Sequence, residues 1–156
     1  MFTEKMRRPR TLYVEMLCLI FLSVSAIAGG GGLLLDVSGG AMHMPLNMLE
    51  GSIFPNYLIP GLFLFTVFGL GSLLAAYILW ARPRFVLLGQ ILRWTHEYWG
   101  WSIPFILGIA LILWIVIQSV TIRTFHPTQV VYGSLGLIIA ALTLRQSMRD
   151  YYRRSG

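Results

Sequence analysis

Four long runs of apolar residues, separated by shorter polar segments, dominate the sequence. These runs cover residues 11-35, 57-81, 102-122 and 127-145. A helix needs about 20 mostly apolar residues to cross the ~30 Å hydrocarbon core of a bilayer, and each run approaches or exceeds that length. The pattern therefore predicts an all-α fold: a four-transmembrane-helix bundle that forms one integral membrane domain over residues 1-156.

The basic residues alternate with the predicted spans. Eleven of the twelve Lys and Arg residues lie before span one, between spans two and three, or after span four, and only Arg123 lies between spans three and four. Because positive charge is retained on the cytoplasmic side of an inserting chain, both the N and C termini are expected in the cytoplasm. The expected location is the cytoplasmic (inner) membrane of a bacterium, with the protein crossing it as a multi-pass membrane protein.

The formal charge of +6 raises the question of the partner. The basic residues flank hydrophobic spans instead of forming a stripe on a folded surface, which argues against nucleic acid. The lipid bilayer, with anionic lipids on its cytoplasmic side, is the expected partner of these charges. The single cysteine, Cys18, cannot form an internal disulfide and is expected to be a buried, inert thiol.

Small residues in spans one and two repeat at four-residue spacing, which lets neighbouring helices approach closely. The repeats are Ser25 with Gly29 and Ala26 with Gly30 in span one, and Gly71 with Ala75 and Ser72 with Ala76 in span two. Spans one and two are therefore predicted to form an antiparallel, close-packed pair. Spans three and four, joined by a short connection, are predicted to form a hairpin. The run of four glycines at 29-32 is the expected place for span one to bend.

A signal peptide is the alternative interpretation of span one. A basic start, an apolar centre and Ala26-Ile27-Ala28 together resemble a cleavage site. Glu15 within the apolar centre and the continuation Leu33-Leu34-Leu35 favour an uncleaved span.

Residues 84-98 are too polar for a span and too apolar for a loop. Their mixed helical pattern predicts an amphipathic interfacial helix on the inner side of the membrane. Tryptophans at the same predicted depth are expected to form an aromatic belt. A nucleotide or cation cage is the alternative interpretation of these rings, which are Trp80, Trp94, Trp99 and Trp101.

The outer loop, residues 36-56, is long for a small bundle and carries many apolar side chains. It is predicted to fold back over the bundle as a lid, with Asp36, His43 and Glu50 on its polar rim. The apolar residues expected to pack are Met42, Met44, Leu46, Met48, Leu49, Ile53 and Phe54.

The methionines of this loop have a second interpretation. Met42, His43, Met44 and Met48 have the soft and borderline ligands that suit Cu(I), and His126 from the other outer loop would strengthen such a site. Methionine is also the usual filler of adaptable apolar surfaces, so the lid is the preferred interpretation. No metal and no cofactor are predicted.

Glu15 is the only carboxylate within a span. Deep in the membrane it would indicate proton or cation coupling. It lies only about one turn after Arg10, so an interfacial ion pair is preferred, with Arg145 or Arg93 as the basic partner. No catalytic residues are predicted, because neither a Ser-His-Asp arrangement, a phosphate-binding loop nor a carboxylate pair can be argued from the sequence.

Three stretches resemble a family of small, uncharacterised bacterial membrane proteins with four spans. They are LEGSIFPNYLIPGLFLFTVFGLGSLLAAYILW at 49-80, WIVIQ at 114-118 and QVVY at 129-132. The resemblance covers most of the chain from about Gly30 onward. It implies the same topology and a bacterial source, and it implies no activity or functional residues.

Spans two to four lack polar groups that converge on a reaction site. This absence favours a non-enzymatic scaffold or accessory subunit that binds a membrane-protein partner or forms a homo-oligomer. The alternative is a small oligomeric transporter that uses Glu15. An enzyme that acts on lipid is third, because it would require a convergent polar cluster.

Overall fold

Four long helices form the protein, which we describe from a computed structural model covering residues 8–83, 99–122 and 126–153. They are α1 (Arg10–Leu35), α2 (Leu58–Ala81), α3 (Ser102–Ile122) and α4 (Pro127–Leu144), and each is long and apolar enough to cross a membrane. The described ranges contain no β-strand. The predicted all-α fold with four spans is therefore confirmed, and each predicted boundary lies within one residue of the observed one.

A fifth helix, α5 (Gln146–Arg153), follows α4 directly and was not predicted. It buries Met148 and Tyr152 completely. These residues are four positions apart and so lie on one face of the helix, which packs against the bundle. The predicted interfacial helix at 84-98 lies outside the described residues, as do Arg93 and Trp94.

α1 and α2 pack through their glycines, as an antiparallel pair. A methyl group on Gly30 would lie 2.6 Å from the Phe65 backbone nitrogen and 2.9 Å from the Gly61 carbonyl oxygen. Further along the pair, the Ser23 hydroxyl donates a hydrogen bond to the Gly69 carbonyl at 2.8 Å. The predicted close-packed pair is confirmed. On α2, however, the backbone approaches at Gly61 and Gly69, rather than at Gly71.

The glycine run does not end α1, which remains helical to Leu35. Only one glycine of the run, Gly30, is buried against the α2 backbone; a methyl group on Gly31 would meet nothing closer than the Phe65 ring at 4.0 Å. The run therefore continues the span and supplies one point of close approach.

The middle of α2, Leu64–Leu70, is π-helical and lies between the α-helical segments Leu58–Phe63 and Gly71–Ala81. Here the Gly71 N–H donates to the carbonyl of Thr66, five residues earlier. π-Helical turns inside α-helices are rare and often occur at functional sites. In this protein the widened segment faces α1 and supplies the Gly69 carbonyl that Ser23 binds.

α3 and α4 form the second close pair, and the predicted hairpin is confirmed. A methyl group on Gly108 would lie 2.9 Å from the Gly136 carbonyl oxygen, and one on Gly136 would lie 2.9 Å from the Gly108 carbonyl oxygen. At the start of α4, the His126 backbone N–H donates to Gln129 Oε1 at 3.2 Å. His126 and Gln129 thus cap this helix in a reciprocal capping box.

Candidate functional site

The bundle has two chemically different ends. We call the end where α1 begins and where α2 and α4 finish the basic end, because Arg10, Arg82 and Arg145 lie there. We call the opposite end the loop end; it comprises residues 36–56 and His126.

Glu15 lies at the basic end, and it is fully buried. The Thr143 hydroxyl hydrogen-bonds Glu15 Oε1 and also lies 2.8 Å from the Ile139 carbonyl oxygen. The other carboxyl oxygen, Oε2, is buried and has no hydrogen-bond partner among the residues that the structure describes. A buried carboxyl group with one satisfied oxygen is energetically costly, so the contact to Thr143 matters for the stability of the bundle.

Of the two arginines predicted to pair with Glu15, the structure describes only Arg145. Arg145 follows the last turn of α4 and is exposed, and no ion pair joins it to Glu15 within the described part of the chain. Thr143, inside the last turn of α4, takes that place because its side chain faces the bundle. Arg93, the other predicted partner, lies outside the described residues.

Thr143 is also the acceptor of a bond from the chain before α3. The Trp101 indole N–H donates to the Thr143 carbonyl at 2.8 Å. On the other side of this end, the Tyr152 hydroxyl donates to the Leu79 carbonyl at 2.8 Å. These bonds join α1 to α4, α4 to the residue preceding α3, and α5 to α2. We call Glu15, Trp101, Thr143 and Tyr152 the polar network.

The tryptophans expected in the aromatic belt divide into two kinds. Trp80 is exposed on α2 with the Arg8 guanidinium 3.8 Å from its ring centre, which fits a residue at a membrane boundary. Trp101 is buried and hydrogen-bonded, so it packs inside the bundle instead of lying on its surface. The side chains of Trp94 and Trp99 lie outside the described residues.

Tyr152 anchors α5, and its removal provides a direct test of the polar network. Tyr152→Phe deletes the bond to the Leu79 carbonyl and leaves that buried acceptor without this donor. We expect the free energy of unfolding to fall by about 1–2 kcal/mol. Amide hydrogen exchange in residues 146–153 should become faster. The control is Tyr77→Phe, which removes a hydroxyl from a mostly exposed ring and should change neither quantity.

The same tyrosine predicts a pH dependence. Burial raises the pKa of the Tyr152 phenol above its ordinary value, although the nearby Arg82 acts in the opposite direction. Since the folded state holds this proton more tightly, the contribution of Tyr152 to stability is complete below about pH 10. It should be lost as the pH rises beyond that value. Stability measured between pH 8 and 11 should therefore show a decline that Tyr152→Phe makes shallower.

At the loop end, residues 36–56 form two short 3₁₀ turns, Gly40–Met42 and Leu46–Leu49. The loop begins at Asp36, whose carboxylate accepts hydrogen bonds from the Ser38 hydroxyl at 2.6 Å and from the Ala41 N–H at 2.9 Å. These donors, the Ser38 hydroxyl foremost, hold the pKa of the Asp36 carboxyl below its ordinary value. The Tyr57 N–H closes the loop by donating to the Val37 carbonyl at 3.0 Å.

The loop packs onto the bundle through part of its apolar set. Leu49 is buried against Leu33 and Tyr57, and Met44 and Phe54 pack on the same cluster. The predicted lid is confirmed for these three loop residues. The prediction is wrong for Leu46 and Ile53, whose side chains are exposed, whereas Met42 is partly exposed but lies against Gly32 of α1.

The candidate Cu(I) ligands have separate surroundings. Met42 lies beside Gly32 of α1, Met44 joins the apolar cluster, and His43 is exposed in a left-handed backbone conformation. His126 caps α4. The described residues contain no group of three or more His, Cys, Asp or Glu side chains positioned to hold a metal ion.

Two cavities lie at the loop end, and both touch Leu64, Trp114 and Gln118. The smaller, of about 70 Å³, is directly beneath the loop and is lined by Met44, Leu49 and Phe54 among others. The larger, of about 170 Å³, reaches between the helices. Its other lining residues are Ser25, Ala26, Gly29, Leu111, Ile115, Thr128 and Tyr132. We call the three residues that line both cavities the junction, and the π-helical segment of α2 begins at one of them, Leu64.

Sequence reasoning identified the loop as the place for a site but missed the residues of α3 that line the cavities. Gln118 was the available signal, because a carboxamide within an apolar span is unusual. The geometry defines a multi-pass, four-helix membrane protein with a covered cavity at one end. Comparison with family models, curated proteins and solved structures finds no match.

Proposed function

We propose that this protein is a non-enzymatic accessory subunit of a bacterial cytoplasmic membrane, which binds a partner or ligand at its loop end. The observation that carries the proposal is the contrast between the two ends. At the basic end, the polar groups of Trp101, Thr143 and Tyr152 form hydrogen bonds that join the helices. At the loop end, a packed loop covers the smaller of two cavities, and the Gln118 carboxamide lines both.

The proposed orientation puts both termini in the cytoplasm and residues 36–56 outside. Its support is the position of the described arginines, which lie at the basic end: Arg8, Arg10, Arg82, Arg145, Arg149 and Arg153. Anionic lipids of the cytoplasmic leaflet are the proposed partners of these charges. The resemblance of 49-80 to small bacterial membrane proteins supports the bacterial assignment.

Cysteine labelling tests the orientation. In a Cys18→Ser background, single cysteines at Ser38 and Thr128 should react with a membrane-impermeant maleimide in intact cells. A cysteine at Ser155 should react only after the cells are opened. Labelling of Ser155 in intact cells would reverse the proposed orientation.

Site-specific photo-crosslinking tests the binding role. A photoreactive amino acid at Ile53, which is 90% exposed in the loop, should give one discrete adduct in cells. The same group at Leu113, which is 58% exposed on α3 and represents the lipid-facing surface, should give none. Equal products from both positions, or none from either, would contradict binding at the loop end.

A transporter that uses Glu15 is the second candidate, because the buried Glu15 Oε2 has no hydrogen-bond partner in residues 8–83, 99–122 and 126–153. Unsatisfied ionisable groups within a membrane commonly belong to proton or ion pathways. If the protein is such a transporter, proteoliposomes that contain it should take up dyes from a cationic panel when a pH gradient is imposed. The Glu15→Gln variant should show no such uptake. Absence of uptake in the wild-type protein leaves the accessory role as the better account.

A further inference from the structure

The larger cavity at the loop end has the size and lining of a small-ligand site. We infer that it binds a neutral amphiphile with one six-membered ring and a hydrogen-bonding oxygen, such as a phenol. The inference rests on the proposed function, since that proposal assigns binding to the loop end. Three properties of the cavity carry it: its charge, its volume and its polar groups.

The lining excludes a charged ligand. Among the described residues, no Asp, Glu, Lys, Arg or His lines either cavity. A charge within a membrane bundle is costly unless an opposite charge or several hydrogen bonds compensate it. The described lining offers no such compensation, so the occupant is neutral.

The volume selects a single ring. The cavity measures about 170 Å³. An engineered cavity of about 150 Å³ in another protein binds benzene, so a monocyclic ligand fills this space. Trp114 and Tyr132 supply aromatic surfaces on α3 and α4, and Leu64 and Leu111 supply aliphatic surfaces. Aromatic side chains of this kind pack favourably against a ring.

Gln118 specifies the polar group of the ligand. Its carboxamide lines both cavities, and no side-chain hydrogen bond to it is formed within the described part of the chain. Ser25 differs, because its hydroxyl donates to the Phe21 carbonyl at 2.8 Å. A carboxamide both donates and accepts hydrogen bonds, so it matches a ligand hydroxyl in either direction. One hydrogen-bonding oxygen on the ring therefore satisfies Gln118.

Ligand binding in the cavity is expected to make the loop more ordered. Met44, Leu49 and Phe54 of the loop line the smaller cavity, which shares Leu64, Trp114 and Gln118 with the larger one. A ligand that fills the junction gives these loop side chains an additional packing surface. Binding should therefore slow amide exchange in residues 44–54.

The experiment uses two fluorinated probes of equal ring size. The full chain is placed in lipid nanodiscs and titrated with 4-fluorophenol or with fluorobenzene, with ¹⁹F NMR as the readout. Empty nanodiscs give the partitioning into lipid that is subtracted. We expect saturable binding of 4-fluorophenol, about five-fold tighter than that of fluorobenzene, which is the worth of one hydrogen bond.

Variants locate the binding. Gln118→Leu should weaken 4-fluorophenol binding about five-fold and make the two probes equal. Ser25→Leu fills the cavity from α1 and should abolish saturable binding of both probes. Thr128→Leu fills it from α4 and should do the same if Ser25→Leu fails to fold. The control is Thr66→Val, which removes a polar group from an exposed position in α2 and should bind as the wild type does.

The outcomes separate the ligand class from the proposed function. Absence of saturable 4-fluorophenol binding overturns the inference, as does binding that survives both cavity-filling variants. Equal affinity of the two probes for the wild type overturns the ligand class while leaving an apolar site at the loop end. The adduct at position 53 decides the proposed function independently of either probe.

Discussion

Replacing Gly30 by alanine should lower the free energy of unfolding by about 2 kcal/mol. The added methyl group would lie within 3 Å of three backbone atoms of α2: the nitrogen and Cα of Phe65 and the carbonyl oxygen of Gly61. Backbone atoms cannot rotate away as a side chain can, so α1 and α2 must separate. The loss should appear as a lower midpoint of thermal unfolding in detergent micelles.

Gly31→Ala is the matched control, one residue along the same glycine run. Its methyl group would meet only the Phe65 ring at 4.0 Å, which is ordinary contact. Since alanine favours a helix over glycine by about 1 kcal/mol, this variant should be slightly more stable than the wild type. Equal destabilisation by the two substitutions would show that helix approach at Gly30 is not what stabilises the pair.

Thr143→Val should destabilise the protein by about 3 kcal/mol, because it leaves the buried Glu15 carboxyl without its hydrogen bond. Valine has nearly the shape of threonine, so little of this loss comes from packing. The quantity to measure is the free energy of unfolding, taken from reversible unfolding in mixed micelles. The single substitution Glu15→Gln should cost less, since an amide group can still bond to the Thr143 hydroxyl.

A double-mutant cycle isolates the interaction. Glu15→Met combined with Thr143→Val replaces the polar pair by apolar side chains of similar size and should restore stability to within about 1 kcal/mol of the wild type. The contact then contributes through mutual satisfaction of two buried groups. Additive losses in the double variant would instead mean that Glu15 and Thr143 stabilise the bundle independently.

The four spans were predictable because bilayer thickness sets the length of an apolar run. An arginine also lies at one end of each run. Thr143 was not predictable as the partner of Glu15. The two residues are 128 positions apart, and one threonine in an apolar helix has no periodic signal. Arg145 attracted the prediction because its charge complements that of Glu15. Charge complementarity does not tell which side chain faces the interior of the bundle.

α5 was missed for a different reason. Its basic residues resemble a solvated tail, although Met148 and Tyr152 share one face. On α2 the predicted repeat covered only residues 71–76, of which Ser72, Ala75 and Ala76 are buried, and it did not include the glycines of closest approach, Gly61 and Gly69. The candidate site was also predictable only in part. The loop was predictable from its apolar content, whereas the cavity depends on how α3 and α4 present Gln118 and Tyr132 to α1.

The π-helical segment of α2 has a consequence for how this span tolerates change. A π-helical turn accommodates an extra residue, so the stretches before Leu64 and after Leu70 follow two rotational registers. In the first register, Pro60 lines the smaller cavity at the loop end. In the second, Ser72, Ala75 and Leu79 face the interior of the bundle. An insertion or deletion within 64–70 would therefore rotate one of these α-helical segments relative to the other. The spacing of side chains within each segment would stay the same. Span two therefore consists of two α-helical segments whose relative rotation is set by the π-helical segment between them.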